Sequence, residues 1–450
     1  MALHDQYGQA LSTANASSVT AYDRTIELFS GFRRDPLAVI GQALEQDPDF
    51  VSGHLARAAL MLGSFDPMLV TMAGQCLDVA AACRTSPNGR ERSLQGALRA
   101  WVTEGMDAGN RALDRHVVDH PRDMLAIQLA HLSDLMLGRT AMLRDRLARV
   151  LQKWDQDEPG YPYLQAMLAF GLEENGSYGQ AEALGRHALE RQPNCTWAVH
   201  AVAHVYEMSG RTEAGLRWLE QTRARWQSQN ILSVHNHWHL ALFRLEHDGA
   251  DAAMALYDEA IAPTAESLAM NLSDGTALLW RLTLQGADAG WRWSALAERW
   301  LQRPTWGRTA FTDLHAVLCM AVSGSDEQSQ ALAEAIRRGA AGHGTATAWS
   351  SVVLPAQRAF IDFVAGEYRA CADRLLPLLP QAQAVGGSHA QRELLLLTAR
   401  CAAEHCGDNA LADALGGQLQ QSRRLAHRGL SQDTRPRSDS EALAEFAMAV

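Results

Sequence analysis

The chain holds one lysine, Lys153, among 40 basic residues; all the others are arginine. Two readings follow: a protein built on bidentate guanidinium contacts to anions, or plain coding bias. Cysteine is also sparse. Its seven copies (Cys76, Cys83, Cys195, Cys319, Cys371, Cys401, Cys406) are odd in number, scattered and never spaced C-x-x-C. That is the usage of a reducing compartment, with thiols buried as small apolar groups. No run of 18 apolar residues exists, so no membrane span is expected. The opening MALHDQYGQALSTANASS lacks a basic stretch followed by an apolar one, so no secretory signal is expected and the cytoplasm is the expected location. A basic surplus is missing as well. The formal net charge of −11 argues against nucleic acid as the main partner. Finally, the chain has no G-x-x-x-x-G-K-[ST], no G-x-S-x-G and no H-E-x-x-H. Phosphate cradles, serine-hydrolase elbows and ordinary zincins are therefore unsupported.

Strand signals are nearly absent too. Ala, Leu, Arg, Glu and Gln dominate, and apolar residues recur at helical spacing. The punctuation is periodic. Pro48, Pro121 and Pro193 lie 73 and 72 residues apart, each gap holding two units of about 36 residues. Turn-then-helix phrases start at Gly138, Gly176, Gly210, Gly249, Gly366 and Gly407. A period near 34 with a turn glycine and an alanine four or five residues on is the tetratricopeptide signature. The expected fold is all-α, an α-solenoid or superhelix of tetratricopeptide-like helix–turn–helix repeats. Length priors alone would suggest several domains, but a repeat array escapes that count. We expect a mobile N-terminus over 1–17, one superhelical domain over 18–430 and a polar tail over 431–450.

Histidines cluster on this scaffold. Six of 17 fall between Trp197 and His247, and the pairs His200/His204 and His235/His239 have i,i+4 spacing. That spacing puts both imidazoles of a pair on one helix face. With each turn glycine set at the fifteenth repeat position, units start at Pro162, Thr196 and His235. Groove-lining position 5 is then Ala166, His200 and His239, and position 9 is Phe170, His204 and Phe243. Position 12 is Glu173, Glu207 and Glu246, and position 2 is Tyr163, Trp197 and Asn236. Three helices thus aim carboxylates and imidazoles into one groove. His237 is out of phase with His235 and His239 and should face elsewhere; His247 lies at a turn.

Four chemistries fit this pattern. One is a divalent transition metal (zinc, iron or manganese) held by His200, His204, His235 and His239. Another is a metal-free acid/base pocket. The third is a passive ligand groove. The last is a polar network that holds repeats in register.

Six blocks carry a family resemblance: AFGLEENGSYGQAE (Ala169 to Glu182), WAVHAVAHVYEMSGR (Trp197 to Arg211), HNHWHLALFRLE (His235 to Glu246), SDGTALLWRLTLQG (Ser273 to Gly286), FTDLHAVLCM (Phe311 to Met320) and GGSHAQRELLL (Gly386 to Leu396). In this order they resemble the tetratricopeptide repeat protein 38 family, over about Leu125 to Leu396. The resemblance implies a helical-repeat fold and brings no activity with it. The chain departs from it at His237, where an aromatic residue is expected, and at Glu393, where Asp is expected. It adds Asp313, His315, His389 and Arg392 to the candidate site. Asp274 reads as a cap at a helix start.

The expected function is binding of a small molecule in an enclosed His/Glu-rich inner pocket, with an anionic ligand, a metal ion and conversion of the ligand as open options. Glu207, His204 and Asp313 would then be the catalytic groups. Glu173, Trp197, Asn236, Glu246, His315, His389 and Arg392 would contact the ligand. The alternative is a scaffold that binds a peptide segment of a partner protein; a homo-oligomer is also open.

Overall fold

The computed structural model describes residues 3–264, 267–341 and 346–432. Helix pairs follow one another almost throughout; among the described residues the only strands are two of two residues each. The fold is an all-α helical-repeat superhelix, as the periodicity predicts. Each repeat breaks where expected. Gly176 and Gly210 sit at φ +82° and +66°, a region that costs a residue with a Cβ but not glycine.

The two helices of a pair have different jobs. In the inner helix Tyr161–Glu174 every residue is buried, and the same holds for Met124–Met136. Outer helices such as Thr212–Gln221 bury one stripe only. A helix buried all round must have packing partners on every side, and closure of the superhelix supplies them. The 383–389 segment returns to the early repeats: Gln383 Nε2 donates to the Gly138 carbonyl (2.8 Å), Gly387 N to the Leu135 carbonyl (3.0 Å), and His389 N to Glu174 Oε1 (2.8 Å). Gly138 has no alternative there, since a Cβ would stand 1.9 Å from the Gln383 carbonyl oxygen. On the other side Ile231 N donates to the Phe32 carbonyl (2.8 Å), and Arg303 pairs with buried Asp66.

Two expectations need correction. Residues 3–12 are not loose. Leu3–His4 pairs with Ala10–Leu11, Tyr7 is buried 5.2 Å from the Trp154 ring, and Ser12 N donates to Glu91 Oε1 (2.9 Å). An aromatic side chain and a satisfied turn tie the end down. The polar tail begins inside the Asn409–Gln432 helix, and the rest of it, 433–450, lies outside the described residues.

Candidate functional site

Helices Thr196–Met208 and Ser233–His247 are inner helices of neighbouring repeats. Their i,i+4 histidine pairs face each other. His200 Nε2 lies 3.0 Å from His204 Nε2 and 3.0 Å from His235 Nε2. One ring nitrogen from each of His200, His204, His235 and His239 falls within 4.8 Å of all the others. Three of the rings are fully buried or nearly so, and His235 is half-buried.

Three of the four outer nitrogens face acids; His200 Nδ1 is buried without a partner. Asp274 Oδ1 is 2.9 Å from His235 Nδ1, and Glu207 Oε2 is 2.6 Å from His239 Nδ1. Glu173 Oε2 is farther from His204 Nδ1, at 3.7 Å. An ionised carboxylate only accepts, so it assigns the proton to Nδ1 and leaves the Nε2 lone pair pointing inward. Lone pairs at 3.0 Å repel unless a positive centre lies between them. One N–H on His200 could satisfy one of its two contacts, not both, and His239 Nε2 has no partner at all. Burial, reinforced by the neighbouring imidazoles, holds His200, His204 and His239 neutral well below the ordinary histidine value. Neutral imidazoles with carboxylates behind them are the donor arrangement that transition metals take.

A second acid cluster adjoins. Glu173 and Glu174 both approach His204. Burial and the neighbouring Glu174 and Glu207 push Glu173 well above the carboxylate range. Burial would raise Glu174 too, but His389 and Arg392 outweigh it and lower that group to about 2. His389 Nδ1 and Arg392 stand 3.0 and 3.2 Å from Glu174 Oε2.

The remaining candidates divide. His389 and Arg392 reach the site through Glu174. His315 is buried, its Nδ1 on the Phe311 carbonyl at 2.8 Å, and burial holds it down to about 4. Trp197 packs its ring 4.6 Å from His200 and stacks on Phe32, so it is a wall of the histidine cluster. Asn236 is buried with neither side-chain atom partnered.

Asp313 is buried with Oδ1 unpartnered. Its carboxylate accepts from Trp349 Nε1 (2.6 Å) and Gly307 N (3.0 Å), where burial raises it to about 7. Glu246 leaves the carboxylate row. It is exposed and accepts from Thr212 Oγ1 at 2.8 Å. His237 packs against Trp226, away from the cluster.

Sequence reasoning missed Glu174 and misread Asp274. The latter is no cap: the Ala269–Leu284 helix starts five residues earlier. Its spacing to Arg281, seven residues on and so two helical turns, was the available signal that both face inward.

Beside the cluster is a cavity of about 450 Å³, bordered by Glu207, Glu246, Glu393, Glu404, Arg281 and Arg400. Glu207 therefore touches both features. Among the described residues no helix is long and apolar enough to cross a membrane.

No family model matches the chain, so its family remains a matter of the sequence resemblance. Among solved structures, one described as "Human IFIT1 dimer with m7Gppp-AAAA" is similar over 94% of this chain and 91% of that chain, at 13% identity and a TM-score of 0.37. A superposition that loose carries no argument about this chain.

Proposed function

We propose that this protein is a metal-binding helical-repeat protein. His200, His204, His235 and His239 hold one divalent transition ion between two neighbouring repeats, next to a cavity that admits a small molecule. The observation that carries this reading is the convergence of four imidazole nitrogens within 4.8 Å. Ligands about 2.0–2.1 Å from a tetrahedral zinc stand about 3.3 Å apart, close to the 3.0 Å spacings here. Four protein ligands close a tetrahedral shell, so this ion is suited to fastening two repeats or reporting on them, not to activating water.

The cavity volume lies in the range of small-molecule sites. Its border carries four glutamates and two arginines, which supports a cationic or zwitterionic ligand over the anion expected from sequence. Glu207 couples the two features: a ligand that draws on its carboxylate would disturb His239. An extended peptide in the groove is less well supported, because the inner helices Met124–Met136 and Tyr161–Glu174 have no exposed face to offer it.

Elemental analysis of the purified 450-residue chain tests the reading. We expect at least one equivalent of transition metal, lost in the His200→Ala/His239→Ala double variant. Metal-free protein whose melting temperature ignores both chelator and added zinc would overturn it.

A further inference from the structure

The Glu173–Glu174–His204 cluster carries an inference that rests on the reading above. We infer that it is a second cation site, with the His204 imidazole bridging the two ions: Nε2 to the four-histidine centre, Nδ1 to the second.

The cluster is more than two acids in a row. Glu173 and His204 are fully buried and Glu174 nearly so. Neither carboxylate oxygen of Glu173 has a hydrogen-bond partner, and neither does His204 Nδ1. Glu173 Oε2 and His204 Nδ1 face each other, and one donor atom from each of Glu173, Glu174 and His204 lies within 4.8 Å of the others. A buried polar atom without a partner forfeits its solvation for nothing in return. The 3.7 Å from Glu173 Oε2 to His204 Nδ1 is too long for a hydrogen bond. It suits two ligands on one ion, each about 2.1 Å from it.

Glu174 still has capacity. A carboxylate offers about four lone-pair sites. His389 N and Arg392 take two of them, while His389 Nδ1 stands 3.0 Å away without hydrogen-bond geometry, so room remains for a metal.

The charges balance. On binding, His204 gives up its single ring proton to solvent and becomes an imidazolate, and Glu173 binds as the anion; metal binding commonly releases protons in this way. Glu173, Glu174 and the imidazolate, offset by the Arg392 guanidinium, then carry a net charge of minus two. A divalent ion cancels it.

Three protein ligands leave a fourth position open, unlike the four-histidine centre. Among the neighbours of this cluster, His389 reaches solvent, its side chain 43% exposed. A water or small anion would be the last ligand at the open position. The second ion, not the first, has the coordination number of catalytic zinc sites.

The test uses the chelator-stripped 450-residue chain titrated with Co(II), followed by visible absorption, and zinc-reconstituted protein analysed for metal content. We expect two equivalents in the wild type. Glu173→Gln, nearly isosteric, should retain one equivalent with the absorption of the four-nitrogen site. A wild type that binds one equivalent, unchanged in Glu173→Gln, overturns this inference and leaves the four-histidine centre standing. A wild type that binds none overturns both. Should Glu173→Gln unfold by circular dichroism, Cu(II)-loaded wild type decides. An imidazolate bridge couples the two spins, so the resonance should integrate to well under two spins per chain. Two full, uncoupled spins would overturn the bridge.

Discussion

Acidification should barely loosen the ion. An imidazole at its ordinary value of about 6.5 loses roughly a factor of ten in metal affinity at pH 5.5, because a proton takes its place on most molecules. Three such imidazoles would cost about 1,000-fold, or about 4 kcal/mol. His200, His204 and His239 are held well below that value by burial and by one another. The sign follows directly. A base whose folded value is depressed stays neutral until the pH falls through that depressed value, so between pH 7.5 and 5.5 these three present free lone pairs throughout. Their share of the proton competition is therefore absent, and affinity should fall far less than 1,000-fold across this range. Competition against a chelator of known proton affinity, with Co(II) absorption as readout at both pH values, measures it in Glu173→Gln, which holds the four-histidine ion alone and so releases no proton from His204. A loss of 1,000-fold or more would show three imidazoles titrating like exposed ones, and the buried, preorganised site would be refuted.

Further consequences follow from single contacts. Glu207→Gln keeps an acceptor for His239 Nδ1–H but loses the charge, and should weaken the ion by about 10–100-fold in the same competition assay, with Asp274→Asn behaving alike through His235. Gly171→Ala would set a Cβ 2.5 Å from the Leu143 carbonyl oxygen, so urea unfolding should show a loss of about 1–3 kcal/mol from overpacking. Arg303→Ala removes the guanidinium from the buried Asp66 carboxylate, which keeps the Met68 and Ala269 amides at 3.0 and 3.3 Å. Stability should drop by about 3 kcal/mol, the low end for a broken buried pair, and an unchanged urea midpoint would show that this contact does not help close the superhelix.

The same repeat position did not give the same environment. Glu173, Glu207 and Glu246 share position 12, yet one is buried, one half-buried and one exposed. Repeat register places a side chain on a helix face; what stands opposite depends on which later element crosses there. The 386–392 segment covers Glu174, next to Glu173, whereas Glu246 borders the cavity and is exposed. His389 and Arg392 were reached from the family resemblance, not from spacing, because more than 200 residues separate them from Glu174. Asp313 shows the converse: right type, right helix face, but claimed by Trp349 and the Gly307 amide.

The sequence by itself determined the helical class, the repeat period with its turn glycines, and the pairing of His200 with His204 and of His235 with His239. All of these are local, written into intervals of four or about 34 residues, where backbone geometry leaves little choice. Only the tertiary structure decided that the two pairs meet at 3.0 Å, that Asp274, Glu207 and Glu173 stand behind them, and that Glu174 joins through His389 and Arg392. Those contacts depend on how far each repeat rotates on the last, a sum of small packing angles that closes the superhelix and that no interval along the chain records.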